Sequence, residues 1–331
     1  MIKVRDLSKN YGDVEAVKSI NFEIQDGEVV GFLGENGAGK TTALKMITGY
    51  LVPTSGMVEV NDLNINDHAL EIQSQIGYLP ELNPLYPEMT VYEYLEFIAN
   101  LRKIRGKQFR DALSSVVDKC GLQGVVHKQI SSCSKGYKQR IGLAGSMIHD
   151  PKILILDEPV TGLDPNQIVE IRQLIKSLGR EKLVLMSSHI LQEIQATVDR
   201  IMIIHQGEIV ANGTNDELMS NFRGNTLLNL EVKNTTDSSL KDLPVAVPNM
   251  NVVNVEERTG RHIIQIEYGQ EVDPREDLFN YAVRSGWAIL KMTPTTTDLE
   301  DIFRKLTTED KVCLLYTSPS PRDQRGSGVA W

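Results

Sequence analysis

Runs of aliphatic residues recur along this chain, and their length and period separate strands from helices. Ile153-Leu154-Ile155-Leu156 is apolar at four successive positions. That suits a strand buried on both faces, in a parallel sheet covered by helices. Val29-Val30-Gly31-Phe32-Leu33 and Leu183-Val184-Leu185-Met186 read as further buried strands. Between them the period changes. Thr41–Ile47 predicts a helix ending near Gly49, and Val91, Leu95, Ile98 and Leu101 recur at helical spacing behind a Thr90/Glu93 capping box. Met57–Val60 and Leu63–Ile65 predict a hairpin across Asn61-Asp62. Gln206-Gly207 turns another, and Thr214 with Glu217 caps a short closing helix.

From Asn225 to about Leu306 the texture is different. Leu228, Leu230 and Val232 alternate with polar residues as in a half-buried strand, and so do Ile264, Ile266 and Tyr268. Asp273-Pro274-Arg275-Glu276 opens a helix that Gly286 closes, Trp287–Met292 reads as a strand, and Thr297 with Glu300 caps a last helix. The expected order is strand, short connection, two strands, helix, strand, helix. That is a small α+β domain of ferredoxin-like kind, read as a packing or regulatory appendage because it carries no catalytic cluster.

At 331 residues the chain has room for about two domains, which places them at 1–222 and 225–306. A helical insertion occupies about 83–148 of the first. The net charge of −9 leaves no basic stripe and argues against a nucleic-acid partner. Three scattered cysteines form neither a disulfide framework nor a zinc site. No stretch approaches about 20 apolar residues, and Met1 opens directly on a strand, so a soluble cytosolic chain is expected.

The chemistry concentrates where predicted strands end. Gly34-Glu35-Asn36-Gly37-Ala38-Gly39-Lys40-Thr41, followed by Thr42, sits between a strand and a helix and fits the phosphate-loop pattern. Its glycines let the backbone curl so that several N–H groups face one anion, and the helix N-terminus adds unpaired donors. Lys40 can reach the outer phosphates of a nucleoside triphosphate, and the Thr41 hydroxyl can ligate Mg²⁺. Asp157 and Glu158 follow the strand Ile153–Leu156. Asp157 is placed to face that metal, and Glu158 to take a proton from the attacking water.

Further segments narrow the class. Cys133-Ser134-Lys135-Gly136-Tyr137 resembles the signature loop of ATP-binding cassette (ABC) ATPases, usually Leu-Ser-Gly-Gly-Gln; Ser134 and Gly136 match, whereas Cys133, Lys135 and Tyr137 depart. Thr161-Gly162-Leu163-Asp164-Pro165 is similar to that family's D-loop, and Ser187-Ser188-His189 to its switch histidine. Tyr11 matches the aromatic that stacks on adenine. Ile76–Glu81 matches the Q-loop, with Glu81 in place of glutamine, and a carboxylate there can still ligate Mg²⁺. The resemblance implies an α/β P-loop fold with a mixed core sheet and an antiparallel β subdomain. It also implies ATP and Mg²⁺ as ligands, with Glu158, His189 and Lys40 catalytic.

The same resemblance puts Tyr11, the loop Gly34–Thr42, Ser134, Gly136 and Asp164 on the nucleotide, and Thr41, Glu81 and Asp157 on the metal. It further implies an ATP sandwich with a second copy of the chain, each copy's Ser134 and Gly136 completing the other's site. Together with Leu299–Phe303, these motifs resemble the ATPase subunits of ABC-2-type bacterial exporters. That implies a separate transmembrane permease and a place at the cytoplasmic face of the membrane. A soluble cassette ATPase and a regulatory ATP-binding module are the alternatives. The single cassette and acidic balance speak against the first, and Lys40, Asp157, Glu158 and His189 against the second. The last stretch, 313–331, has neither periodicity nor caps, and Cys313–Asp323 resembles a translated sequencing adaptor; it is expected to stand outside the fold.

Overall fold

Strands that are apolar on every side chain end up in the middle of a sheet, and here they do. A computed structural model describes residues 1–222, 226–258, 260–269, 273–295 and 299–313. The chain divides into two compact units at the Asn215–Asp216 bond. In the first, β1 (Ile2–Tyr11) and β2 (Val14–Ile24) form a hairpin, and β3 (Val29–Leu33) leads through a tight loop into α1 (Lys40–Ile47). Next come β4 (Ser55–Val60), β5 (Leu63–Asn64), α2 (Ile65–Gln75) and β6 (Ile76–Leu79). The helices α3 (Val91–Leu101), α4 (Gly106–Cys120) and α5 (Lys135–Met147) follow, with a 3₁₀ turn at Ile130–Ser132 before the last. The unit closes with β7 (Ile153–Leu156), α6 (Pro165–Gly179), β8 (Leu183–Ser188), α7 (Leu191–Gln195), β9 (Arg200–His205) and β10 (Glu208–Gly213).

Two sheets result. One is antiparallel, four-stranded, in the order β2-β1-β4-β5; the other has six strands in the order β10-β9-β3-β8-β7-β6. From β9 to β6 all neighbours are parallel, and β10 joins antiparallel at one edge. Every residue of β3, β7 and β8 is buried. One apolar core joins Ile2, Val4 and Val58 of the first sheet to Phe32, Ile155 and Met202 of the second, with Leu44, Met46 and Ile47 of α1. Because β3, β6, β7 and β8 run the same way, the phosphate loop, Glu81, Asp157-Glu158 and His189 emerge on one edge, where open α/β sheets bind ligands.

Two local readings change. The strand expected over Leu63–Ile65 stops at Asn64, whose side chain accepts the Asn66 N–H at 2.9 Å and caps α2 instead. In α3 the Thr90/Glu93 capping box forms and Val91 and Leu95 are buried, but Leu101, expected on the same face, is 65% exposed.

After α8 (Asn215–Phe222), the second unit runs β11 (Thr226–Lys233), α9 (Asp237–Ala246), β12 (Met250–Arg258), β13 (Arg261–Tyr268), α10 (Arg275–Arg284), β14 (Ala288–Thr295) and α11 (Leu299–Cys313). Its antiparallel sheet has the order β12-β13-β11-β14, the βαββαβ arrangement of ferredoxin-like folds. The alternating residues pair as read, Leu228 opposite Ile266 and Leu230 opposite Ile264, all four fully buried. The connection expected to be short carries the helix α9. Asn225, Thr297 and the stretch after Cys313 lie outside the described residues.

Candidate functional site

The loop after β3 is shaped by two glycines in the left-handed region, Gly37 with φ 86° and Gly39 with φ 106°. Gly39 is also the N-cap of α1, and it lies so close to the Ala16 carbonyl that a side chain there would collide with it. A cleft of ≈370 Å³ opens over this loop, lined by Asn36, Gly37, Gly39, Lys40, Thr41 and Thr42 from the loop and by Ala16, Glu81, Glu158, Thr161 and His189 from around it. Gly34, Glu35 and Ala38 shape the loop from behind. The Gly34 N–H donates to the Ser188 carbonyl (3.3 Å), and the Ala38 N–H to the Glu35 carbonyl (3.1 Å).

Charge is gathered at this cleft with little solvent to screen it. Lys40 Nζ donates to the carbonyls of Gly34 (2.8 Å) and Glu35 (3.2 Å) and lies 3.4 Å from Glu158 Oε1, with both side chains 6% exposed. Glu158 Oε2 accepts from the Thr161 hydroxyl at 2.9 Å and meets His189 Nδ1 at 2.9 Å. The carboxylate is thus aimed by a cation, a hydroxyl and an imidazole at once. Its backbone is strained, with φ 50° at a residue other than glycine. The Glu158 N–H donates to Ser187 Oγ (3.0 Å), and that hydroxyl donates to Asp157 Oδ1 (2.6 Å), so Ser187 ties the two acids together.

Asp157 is fully buried, and its Oδ2 has no hydrogen-bond partner. A buried carboxylate oxygen left unpaired is costly unless a cation meets it. Among the described residues no three His, Cys, Asp or Glu side chains cluster as a metal cage. Mg²⁺ needs none, since it is held by one or two carboxylates together with phosphate oxygens. Thr41 and Glu81 line the cleft, whereas the buried Asp157 does not; its unpaired oxygen is the atom that a cation bound with a nucleotide would meet. The Tyr78 phenol lies near the acids; burial first, and the Asp157 charge second, push its pKa well above the usual tyrosine range.

The remaining expected residues lie elsewhere in the same unit. Tyr11 is 51% exposed at the end of the hairpin whose Ala16 reaches the cleft. Ser134 caps α5 by accepting the Tyr137 N–H at 3.3 Å, and Asp164 caps α6 by accepting the Gln167 N–H at 3.0 Å. Gly136 is buried against the Gln167 amide, which fills the space a side chain would need. None of these four lines the cleft. Sequence reasoning missed Ser187 and Thr161. Both stand inside motifs that were found, but a hydroxyl's partner depends on which strand end it faces. A second, more apolar cleft of ≈470 Å³ adjoins, lined among others by Tyr50, Tyr78, Pro80, Asn83, Leu101 and Arg102.

Residues 17–161 match the family model described as ABC transporter. The chain is similar to a bacitracin transport ATP-binding protein of Bacillus licheniformis, 36% identical over 92% of this chain and 97% of the relative. A bacitracin transport ATP-binding protein of Enterococcus faecalis is 32% identical over 92% and 96%. Among solved structures, the ATP-binding subunit of an ABC transporter covers 67% of this chain and 93% of its own, with a TM-score of 0.61 and 29% identity. A dimeric ATP-binding cassette in a post-hydrolysis state with ADP and Pi covers 65% and 98%, with a TM-score of 0.60 and 25% identity.

Proposed function

Because this chain belongs to the ABC transporter ATP-binding family, we propose that it is the ATP-hydrolysing subunit of an ABC-2-type exporter, working with a separate membrane permease. One observation carries the reading: Glu158 stands in the phosphate-loop cleft, held by Lys40, Thr161 and His189 together. A nucleotide triphosphate on the loop brings its outer phosphate to Lys40. Glu158 then takes the proton from an attacking water, and His189 orients the carboxylate. Thr41, Asp157 and Glu81 would hold Mg²⁺, which would supply charge neutralisation at the phosphates. The names of the relatives, bacitracin transport in two of them and linearmycin resistance in a third, favour export of a small toxic compound.

Ser134 and Gly136 stand off the cleft of their own chain. Facing a second copy across a two-fold axis, each would offer its donors to the other's nucleotide. No helix among the described residues is long and apolar enough to cross a membrane. Pro80 lines the second cleft and the next residue, Glu81, lines the first, while Tyr50, Leu82 and Leu101 are widely exposed. This suits a permease segment whose docking moves the Mg²⁺ ligand.

Sedimentation of Glu158→Gln tests the sandwich. The protein should be monomeric alone and dimeric with Mg²⁺-ATP, and Ser134→Arg in the same background should keep it monomeric while nucleotide still binds. A Glu158→Gln protein that stays monomeric at saturating nucleotide, alone and with the permease, overturns the sandwich.

A further inference from the structure

Ser187, near the end of β8, serves the two acids directly, but the next hydroxyl along is held by a group that takes no direct part in hydrolysis. Glu193 on α7 is a carboxylate only 3% exposed. Its Oε2 accepts from Ser188 Oγ at 2.7 Å, and that same hydroxyl accepts the Ile190 N–H at 3.0 Å. The Ser188 carbonyl accepts from Gly34 of the phosphate loop at 3.3 Å. His189 therefore sits between two residues pinned to one hydroxyl, on a strand end that also touches the phosphate loop. Its imidazole reaches Glu158 Oε2 at 2.9 Å.

The Ser188 hydroxyl is a rotor with one proton and two lone pairs, and its orientation follows the acceptor offered to it. Glu193 offers a strong one, in a setting where charge is poorly screened. With the proton fixed there, a lone pair is left for the Ile190 N–H, and the turn carrying His189 is closed. Thr197 Oγ1 donates to the Glu193 carbonyl at 2.6 Å and anchors the helix from behind. Burial is the main influence on Glu193 and raises its pKa, opposed by the Ser188 hydrogen bond and the Arg172 guanidinium. An apolar residue would fill this place without that penalty.

We propose that Glu193 is a positioning residue for ATP hydrolysis: through Ser188 it fixes the backbone on both sides of His189, and so holds the imidazole on Glu158. The proposal rests on the hydrolytic reading of Glu158 and His189. Steady-state turnover and nucleotide binding by the full chain test it. Glu193→Ala should lower kcat roughly 10- to 100-fold, as small misplacements of reacting groups do, with nucleotide affinity kept within about twofold. Glu193→Gln keeps an acceptor oxygen on the same frame and should recover most of the rate. In a His189→Ala background, Glu193→Ala should add no further loss, because the two act through one group. A parental kcat in Glu193→Ala overturns the proposal, and so does an equal fold-loss in both backgrounds. If Glu193→Ala fails to fold, Ser188→Ala takes its place in the same two backgrounds, where a parental kcat or an equal fold-loss again overturns the proposal. Absence of turnover in the parental protein would instead overturn the hydrolytic reading.

Discussion

The two units of this chain treat charge in opposite ways. Among the described residues, every buried charged side chain, Lys40, Asp157, Glu158, Lys182 and Glu193, belongs to the first unit. In the second, the core is Leu228, Leu230, Ile264, Ile266 and their neighbours, and ion pairs such as Glu256 with Arg258 and Asp273 with Arg275 lie at the surface. Burying a charge costs several kcal/mol unless it is paired and hydrogen-bonded, so a core that only has to pack avoids it. The first unit accepts that cost for Lys40, Asp157 and Glu158 at the carboxyl ends of its parallel strands, and for Glu193 on the helix that follows β8. Lys182, which pairs with Asp150 at 2.6 Å and donates to the Pro151 carbonyl at 2.6 Å, is the exception. It shows that buried charge marks a site only where the strand ends converge.

The widest separation between the units should appear in turnover. Glu158→Gln removes the proton acceptor while keeping the shape of a side chain bonded to Thr161 and His189. Hydrolysis should fall roughly 10²- to 10⁴-fold with ATP still bound. In the second unit Glu231→Gln, which removes the surface pair with Arg261, should leave the rate unchanged. A parental rate in Glu158→Gln would remove Glu158 from its role, and a comparable loss in Glu231→Gln would give the second unit a part in the chemistry.

Legibility divides along the same line. The phosphate loop, Asp157, Glu158 and His189 could be read because each follows a continuous apolar run, and four successive aliphatics such as Ile153–Leu156 fit few structures other than a buried strand. The βαββαβ order was half-readable. Alternation gave β11 and β13, but α9 hides in Asp237–Ala246, where Asp-Ser-Ser and an internal Pro244 argue against a helix. Hydroxyl partners were not readable at all. Ser187 and Ser188 are adjacent and chemically identical, yet one binds Asp157 and the other Glu193, because successive residues of a strand face opposite ways. Ile65 was misread for a related reason: Asn64 both ends β5 and caps the helix that begins at Ile65, and nothing in the sequence tells that its side chain turns to the Asn66 N–H.

Packing, rather than charge, should decide the stability of the second unit. Trp287 is 7% exposed, stands edge-on to Tyr281 at 5.4 Å, and donates its indole N–H to Ser239 Oγ at 2.9 Å. Trp287→Ala should destabilise this unit by about 3–5 kcal/mol, seen as a lower unfolding temperature for that part of a calorimetric trace. ATP hydrolysis below that transition should stay within about twofold of parental, as expected of a packing mutation in the unit that carries no part of the phosphate-loop cleft. A loss of turnover while the second unit remains folded would show that Trp287 serves the first unit.

The smallest effect probes the helix that sequence reasoning overlooked. Both units start a helix with a capping box: Thr90 accepts the Glu93 N–H at 3.2 Å in α3, and Thr236 accepts the Ser239 N–H at 3.3 Å in α9. In α3 the returning partner is the carboxylate of Glu93, on an amphipathic helix. In α9 it is Ser239, whose hydroxyl also accepts from the Thr236 N–H at 3.0 Å and from the Trp287 indole, while its carbonyl takes the Tyr281 hydroxyl at 2.6 Å. The cap of α9 is therefore continuous with the aromatic core beside it. Thr236→Ala should lower stability by about 1 kcal/mol, and in combination with Trp287→Ala the losses should fall short of their sum, since both act through Ser239. Strict additivity in equilibrium unfolding would mean that cap and core are independent. A neutral Thr236→Ala would mean that Tyr281 and Trp287 alone hold α9 in place.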